Sequence, residues 1–194
     1  MCWLRCGMSS ANREGITPRR RGNTMKKVFA LMLALCLMLG CTALAENEIT
    51  WEQIAPTLEG AGVTGEFVTF DEIAVKVFIF NGMAAQELSD EDRQNGYIGY
   101  YAAEDGSAIA IQYVDVNGMT LEDYTANLPE AGATEIETGT VNGLPCVSYA
   151  FNGNLCCSFT TEKGYILEVS VGPVEDDNTK VAAAAVLASI QAAE

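Results

Sequence analysis

The stretch TEIETGTVNGLPCVSYAFNGNLCCSFTTEKGYILEVSV, residues 134–171, decides the fold. Two Asn-Gly dipeptides, Asn142-Gly143 and Asn152-Gly153, interrupt runs rich in β-branched, aromatic and other apolar residues. Asn-Gly between such runs is a strong hairpin signal, because both positions of the favoured two-residue turn need positive φ. Residues 134–141 are therefore expected to pair antiparallel with 144–151, and these in turn with 155–161, with 165–171 as a further strand. The second turn sets Tyr149 opposite Cys156 and Ser148 opposite Cys157. Several of these strands are apolar on both faces, which is what helix cover over much of a sheet produces.

The segments upstream continue the pattern. Residues 97–103 and 108–114 form another hairpin, closed by Glu104-Asp105-Gly106-Ser107 with Asp-Gly at its centre. Pairing Glu104 with Ser107 puts Ile98, Tyr100, Ile109, Ile111 and Tyr113 on a core face, and Tyr97, Gly99, Tyr101 and Gln112 on the other. Residues 66–70 and 73–80 read as two strands joined at Asp71-Glu72. Thr50-Trp51-Glu52-Gln53 resembles a capping box for a helix bearing Trp51, Ile54 and Leu58, and Ser89-Asp90-Glu91-Asp92 starts a helix of a turn or two. Thr120 opens a helix carrying Leu121, Tyr124 and Leu128, stopped by Pro129 and Gly132. An alanine-rich helix from about Asp177 to Gln191, capped by Asp176 or Asp177, carries Val181, Val186, Leu187 and Ile190.

The expected fold class is α+β: a single antiparallel β-sheet of about six to eight strands flanked by helices, with the Ala-rich helix at the C-terminus. Three cues, the Thr120-Leu121-Glu122-Asp123-Tyr124 helix start, the strand ending in Thr140-Val141-Asn142-Gly143, and the last strand leading into a terminal helix, resemble the PsbP-like fold over roughly Gly65 to Gln191. Members of that family mostly bind or assist larger assemblies, so the resemblance implies a binding module and no particular residue's role.

Residues 25–45, MKKVFALMLALCLMLGCTALA, read as a signal peptide. Lys26 and Lys27 precede an apolar run from Val28 to Leu39, and Ala43-Leu44-Ala45 is a cleavage pattern. The run is too short for a membrane span of roughly 20 apolar residues. Residues 1–24 are expected to be an upstream extension, with Met25 as the start, because Arg19-Arg20-Arg21 before a methionine is what a purine-rich ribosome-binding site gives when translated. A genuine basic leader is the alternative. Met38-Leu39-Gly40-Cys41 matches a lipobox only at Gly40 and Cys41, so lipidation at Cys41 competes with cleavage after Ala45. Residues 46–194 form the single working domain, exported and free or tethered by lipid.

Sorting charge and cysteine about this boundary changes both. Of 26 acidic residues 25 lie after it, against Lys76, Arg93, Lys163 and Lys180, a formal net charge of −21 for residues 46–194. Such a surface repels phosphate, which sets nucleic acid aside and leaves the membrane only as a target of the signal or a lipid anchor. Seven cysteines reduce to Cys146, Cys156 and Cys157, an odd count. Cys146 falls diagonal to Cys157, about 7 to 8 Å away between Cα atoms and beyond disulfide range, so three reduced thiols are expected.

The chain has no histidine, so Ser-His-Asp triads, Cys-His dyads and histidine metal sites are excluded. Glycine-rich phosphate loops are also missing, and Glu135 with Glu137 reads as a solvated strand edge rather than a glycosidase pair. Asp115, Asn117, Glu122 and Asp123 around a loop entering a helix are the candidate calcium ligands, with Glu175-Asp176-Asp177 a further acidic cluster; an Asp-x-Asn-Gly turn with a Thr cap explains the first structurally and helix-dipole capping the second, which leaves calcium the lesser reading. Tyr97, Tyr101 and Gln112 are the candidate ligand surface, tyrosines beside an amide being suited to a protein, peptide or sugar. The sequence thus points to an exported, strongly acidic, non-enzymatic binding or assembly module without a cofactor. Its alternatives are a small cell-envelope enzyme of unfamiliar chemistry and a calcium-binding surface protein.

Overall fold

A computed structural model describes residues 48–193. The upstream segment 1–24, the signal-like segment 25–45 and Cys41 lie outside the described residues. In chain order the elements are β1 (Glu48–Ile49), α1 (Trp51–Ala61), β2 (Gly65–Phe70), β3 (Val75–Phe80), β4 (Ala84–Ala85), α2 (Asp90–Gln94), β5 (Tyr97–Ala102) and β6 (Ala108–Asp115). They continue as α3 (Leu121–Ala131), β7 (Thr134–Val141), β8 (Leu144–Phe151), β9 (Asn154–Thr160), β10 (Ile166–Gly172), α4 (Asp177–Leu187) and β11 (Gln191–Ala192).

The fold is α+β, but the expectation of one purely antiparallel sheet needs correction. An eight-stranded mixed sheet has the order β1-β7-β8-β9-β10-β6-β5-β4, and a separate three-stranded sheet has the order β11-β3-β2. The mixed character comes from β1, which pairs parallel with β7 through Glu48 opposite Thr140 and Ile49 opposite Val141. A helix rather than a tight turn follows β1, so no hairpin forces it antiparallel. The second sheet gains its third strand because the C-terminal helix stops at Leu187 instead of running to Gln191. Gln191 and Ala192 then pair with Lys76 and Val75 of β3, and the Ala193 N–H donates to the Ala74 carbonyl at 2.7 Å.

Both Asn-Gly hairpins form in the expected register, with Tyr149 opposite Cys156 and Ser148 opposite Cys157. Helix α3 covers one face of β7, β8 and β9, where Leu128 and Ala133 pack on Val147, Tyr149 and Cys156. On the other face, Ala183, Val186, Leu187 and Ile190 join Val75, Val77 and Ile79 of β3 over Ile109, Ile111, Val169 and Val171. Each such aliphatic side chain contributes about 1.5–3 kcal/mol on burial, so this layer is the main source of stability. Helix α1 adds Ile54 and Leu58 against Val181, Ala185 and Ala188. Pro129 lies inside α3, whose end is instead set by Gly132 at φ 94°.

The β5–β6 hairpin departs from its expected register by one residue. Ala103 donates to the Ser107 carbonyl at 2.9 Å, leaving the three-residue loop 104–106 closed by Gly106 at φ 90°. Asp-Gly serves this loop as readily as the two-residue one, and a slip of one residue turns every side chain to the opposite face. Tyr101 therefore lies opposite Ile109 and Tyr100 opposite Ala110. Tyr101 packs into the main core while Tyr100 is 37% exposed, the reverse of the sequence expectation. Gly99 holds this register, because a Cβ there would lie 2.7 Å from the Phe70 ring, which packs beside Tyr101. An irregularity between Tyr97 and Gly99 restores Tyr97 opposite Gln112. Tyr101→Ala is expected to cost about 2 kcal/mol more in chemical denaturation than Tyr100→Ala; equal losses would contradict this register.

Candidate functional site

The face under and beside α3 carries a row of side chains across four neighbouring strands. Val147 of β8 lies opposite Ser158 of β9, Ser158 opposite Glu168 of β10, and Glu168 opposite Gln112 of β6. Ser158 is fully buried and Glu168 is only 7% exposed. From the next position along β8, Tyr149 extends its hydroxyl into this row, and from α3 Tyr124 reaches the same point.

Donor and acceptor chemistry gives the network a direction. A carboxylate only accepts, so the single phenolic proton of Tyr149 is donated to Glu168 Oε2. Tyr124, at 2.8 Å, and Ser158, at 3.1 Å, then donate to the Tyr149 oxygen and fill both of its lone pairs. Gln112 Nε2 donates to Glu168 Oε1 at 3.1 Å. Burial, followed by the nearby Glu168 charge, pushes the Tyr149 phenol well above its ordinary range, and burial also raises Tyr124. The Cys156 thiol on the same face is pushed up to about 12 for the same two reasons.

Beside this network lies a cavity of about 140 Å³. Helix α3 lines it with Tyr124, Asn127, Leu128 and Ala131, the sheet with Tyr149, Phe151 and Glu168, and Ala133 closes it between them. Glu168 is thus a buried carboxylate bordering an aromatic and aliphatic hollow. Acids are almost never fully buried without a partner. All four cations of residues 46–194 are engaged or placed elsewhere: Lys180 pairs with Glu135 at 2.7 Å, Lys76 lies over the Phe67 ring, Lys163 reaches the Glu72 carbonyl, and Arg93 is in α2.

The candidate residues from the sequence are only partly brought together. Of Tyr97, Tyr101 and Gln112, the register slip sends Tyr101 to the opposite face, so the three do not share one face. Gln112 survives as a member of the buried network, with Tyr97 beside it. Asp115 Oδ2 accepts the N–H groups of Asn117, Gly118 and Met119 at 2.9–3.1 Å, which orders the loop into α3. Asp123 Oδ2 accepts the Thr120 hydroxyl at 2.7 Å, and Glu122 is exposed. Among the described residues no three His, Cys, Asp or Glu side chains converge to hold a metal ion. Asp176 caps α4 by accepting the Thr179 N–H at 2.8 Å, which lowers its carboxyl. With Asp115 and Asp123 engaged in turn and cap bonds, millimolar calcium is expected to leave the melting temperature unchanged in differential scanning fluorimetry; a rise of several degrees would assign the Asp115 loop as an ion site. Sequence reading missed Glu168, Tyr149, Tyr124 and Ser158. The available signal was one acid in the centre of the run YILEVSV, on a strand with partners on both sides.

The three thiols are free, with Cys156 and Cys157 buried and Cys146 half-buried. A hydrogen bond from Cys157 to Cys146 raises the former and lowers the latter. Cys146 is therefore expected to react first with a thiol-specific reagent in the native protein, with the other two protected until unfolding. Unfolded thiols and phenols lose protons near 9.0 and 10.0, whereas Cys156 and Tyr149 keep theirs when folded. Above about pH 9 the native state thus binds more protons than the unfolded state, and stability falls as pH rises. Cys156→Ala should flatten that fall between pH 9 and about 12 in urea titrations.

These features define an α+β protein whose mixed sheet carries a directed polar network beside a small cavity. Among solved structures its fold resembles the solution structure of cyanobacterial PsbP (CyanoP) from Synechocystis sp. PCC 6803, at a TM-score of 0.49 and 12% sequence identity, covering 64% of this chain and 90% of that one. The likeness is one of fold, and no residue's role is carried across. No protein-family model and no curated protein sequence matches the chain.

Proposed function

We propose that the chain is an exported, strongly acidic binding or assembly module that receives a group of its ligand in the cavity between α3 and the sheet. The observation that carries this reading is Glu168, a carboxylate 7% exposed, held by neutral donors at the edge of a hollow of about 140 Å³. Whole drug-sized ligands occupy roughly 300–1,000 Å³, so the cavity suits a headgroup or a side chain of something larger. The formal net charge of −21 over residues 46–194 draws positively charged partners and argues against nucleic acid.

A non-catalytic role is favoured by the chemistry of the groups around the cavity. Tyr149, which lines the cavity, and Cys156, beside it on the same sheet face, hold their protons firmly at neutral pH, and the chain supplies no histidine. Export is supported by the signal-like segment 25–45, with tethering through Cys41 as the alternative to release. Among the described residues no helix is long and apolar enough to cross a membrane. Protein-observed NMR against a panel of peptides, sugars and small amines tests the reading. Perturbation of Tyr124, Leu128 and Phe151 by a compound recovered unchanged is the expected result, and chemical conversion of a bound compound would overturn the non-enzymatic assignment.

A further inference from the structure

Resting on that reading of the cavity, we infer that its ligand group is a primary ammonium, the charged end of a lysine side chain or of a small free amine, seated on Glu168. Glu168 has about four acceptor positions on its two oxygens, as any carboxylate has. Tyr149 takes one on Oε2 and Gln112 one on Oε1, and both are neutral. Acceptor capacity and a full negative charge are left over at a group that borders the cavity, while every cation of residues 46–194 stands elsewhere.

The shape and lining select among cations. A guanidinium binds a carboxylate best as a two-pronged fork, which needs both oxygens free along one edge, and here each oxygen already holds a donor. Calcium takes six to eight oxygen ligands, and a single carboxylate supplies too few. A quaternary ammonium has no N–H to satisfy the remaining acceptor positions. An ammonium is compact and brings three donors, one or two for Glu168 and one for the Asn127 amide carbonyl at the exposed rim. The rings of Tyr124 and Phe151 suit a cation, and Leu128 and Ala131 suit the methylene stem behind it.

The test uses the full chain expressed in an export-competent bacterial host and purified as processed there. Binding is followed by NMR shifts at Tyr124, Leu128 and Phe151. The probes are n-butylammonium, its neutral counterpart 1-butanol, a capped lysine amide, the same compound acetylated on its side chain, and a capped arginine amide. The two ammonium probes are expected to move these resonances at least tenfold more tightly than their neutral counterparts and than the arginine compound. Glu168→Gln, which keeps the shape, should abolish that preference. If Glu168→Gln fails to fold, Ala131→Leu, which fills the cavity from α3 and leaves the carboxylate intact, should abolish ammonium binding instead. Tighter binding of the capped lysine than of butylammonium assigns the site to a polypeptide side chain; the reverse assigns it to a free amine. Equal binding of neutral and charged probes at the same residues overturns the ammonium assignment and leaves the binding cavity standing. Failure of every probe to perturb these residues overturns both.

Discussion

Tyr149→Phe is expected to destabilise the protein by about 3 kcal/mol, far more than the loss of one oxygen atom from a packed ring would suggest. Its hydroxyl is the only group that both donates to Glu168 and accepts from Tyr124 and Ser158, so its removal takes the partner from Ser158 and Tyr124 and leaves Glu168 with Gln112 as its one remaining donor. Ser158 is fully buried and Glu168 nearly so, and water does not readily replace the missing hydroxyl there. Leaving a buried partner unsatisfied costs about 1–3 kcal/mol, with charged groups at or above the upper end. For a domain of this size, thermal unfolding by circular dichroism should show a fall of roughly 6–12 °C. Tyr124→Phe makes the internal comparison, because it removes only one of two donors to the Tyr149 oxygen and should cost about 1 kcal/mol. Adding Glu168→Met to Tyr149→Phe should recover part of the loss, since an apolar pair no longer leaves a buried carboxylate short of a donor. Equal costs for the two tyrosine variants would mean that the network has no hub.

The reach of sequence reading follows the range of the forces involved. The hairpins at Asn142-Gly143 and Asn152-Gly153 were legible because turn geometry and alternation act within a few residues. The 104–106 loop was not, since Asp-Gly permits two loop lengths and the choice rests on Phe70 packing over Gly99 from a distant strand. The end of α4 was hidden for the same reason. Alanines continue past Leu187 with good helix propensity, yet Gln191 and Ala192 pair with β3, and the Ser189 hydroxyl accepts the Phe78 N–H at 2.9 Å. These are tertiary contacts, which override propensity. At the candidate site Glu168 was missed although it is an acid in an apolar strand, because the network around it comes from residues 112, 124, 149 and 158, and only the assembled sheet brings them together.

The two Asn-Gly turns also separate what a motif reveals from what it conceals, and Asn142→Gly is the experiment that shows it. Both asparagines sit at positive φ, 46° for Asn142 and 50° for Asn152, so glycine satisfies the backbone at either position. Asn152 is exposed, and Asn152→Gly should change stability by no more than a few tenths of a kcal/mol. Asn142 does far more with its side chain. Its Oδ1 accepts the Trp51 N–H at 2.6 Å, where α1 begins, and its Nδ2 donates to the carbonyls of Ala188 and Ile190 at 2.9 and 2.8 Å, where the chain leaves α4. One amide thereby fastens the β7–β8 turn to the start of one helix and the end of another. Glycine keeps the turn and breaks all three bonds, each contributing about 1 kcal/mol, so Asn142→Gly should cost about 3 kcal/mol in urea denaturation. Asn142→Asp should be at least as damaging, because it keeps the acceptor for Trp51 but sets a carboxylate against two carbonyl oxygens. A loss of less than 1 kcal/mol in Asn142→Gly would mean that α1 and the end of α4 are held by their apolar contacts alone, with Ile54 and Leu58 packing on Val181 and Ala188 without the amide to align them.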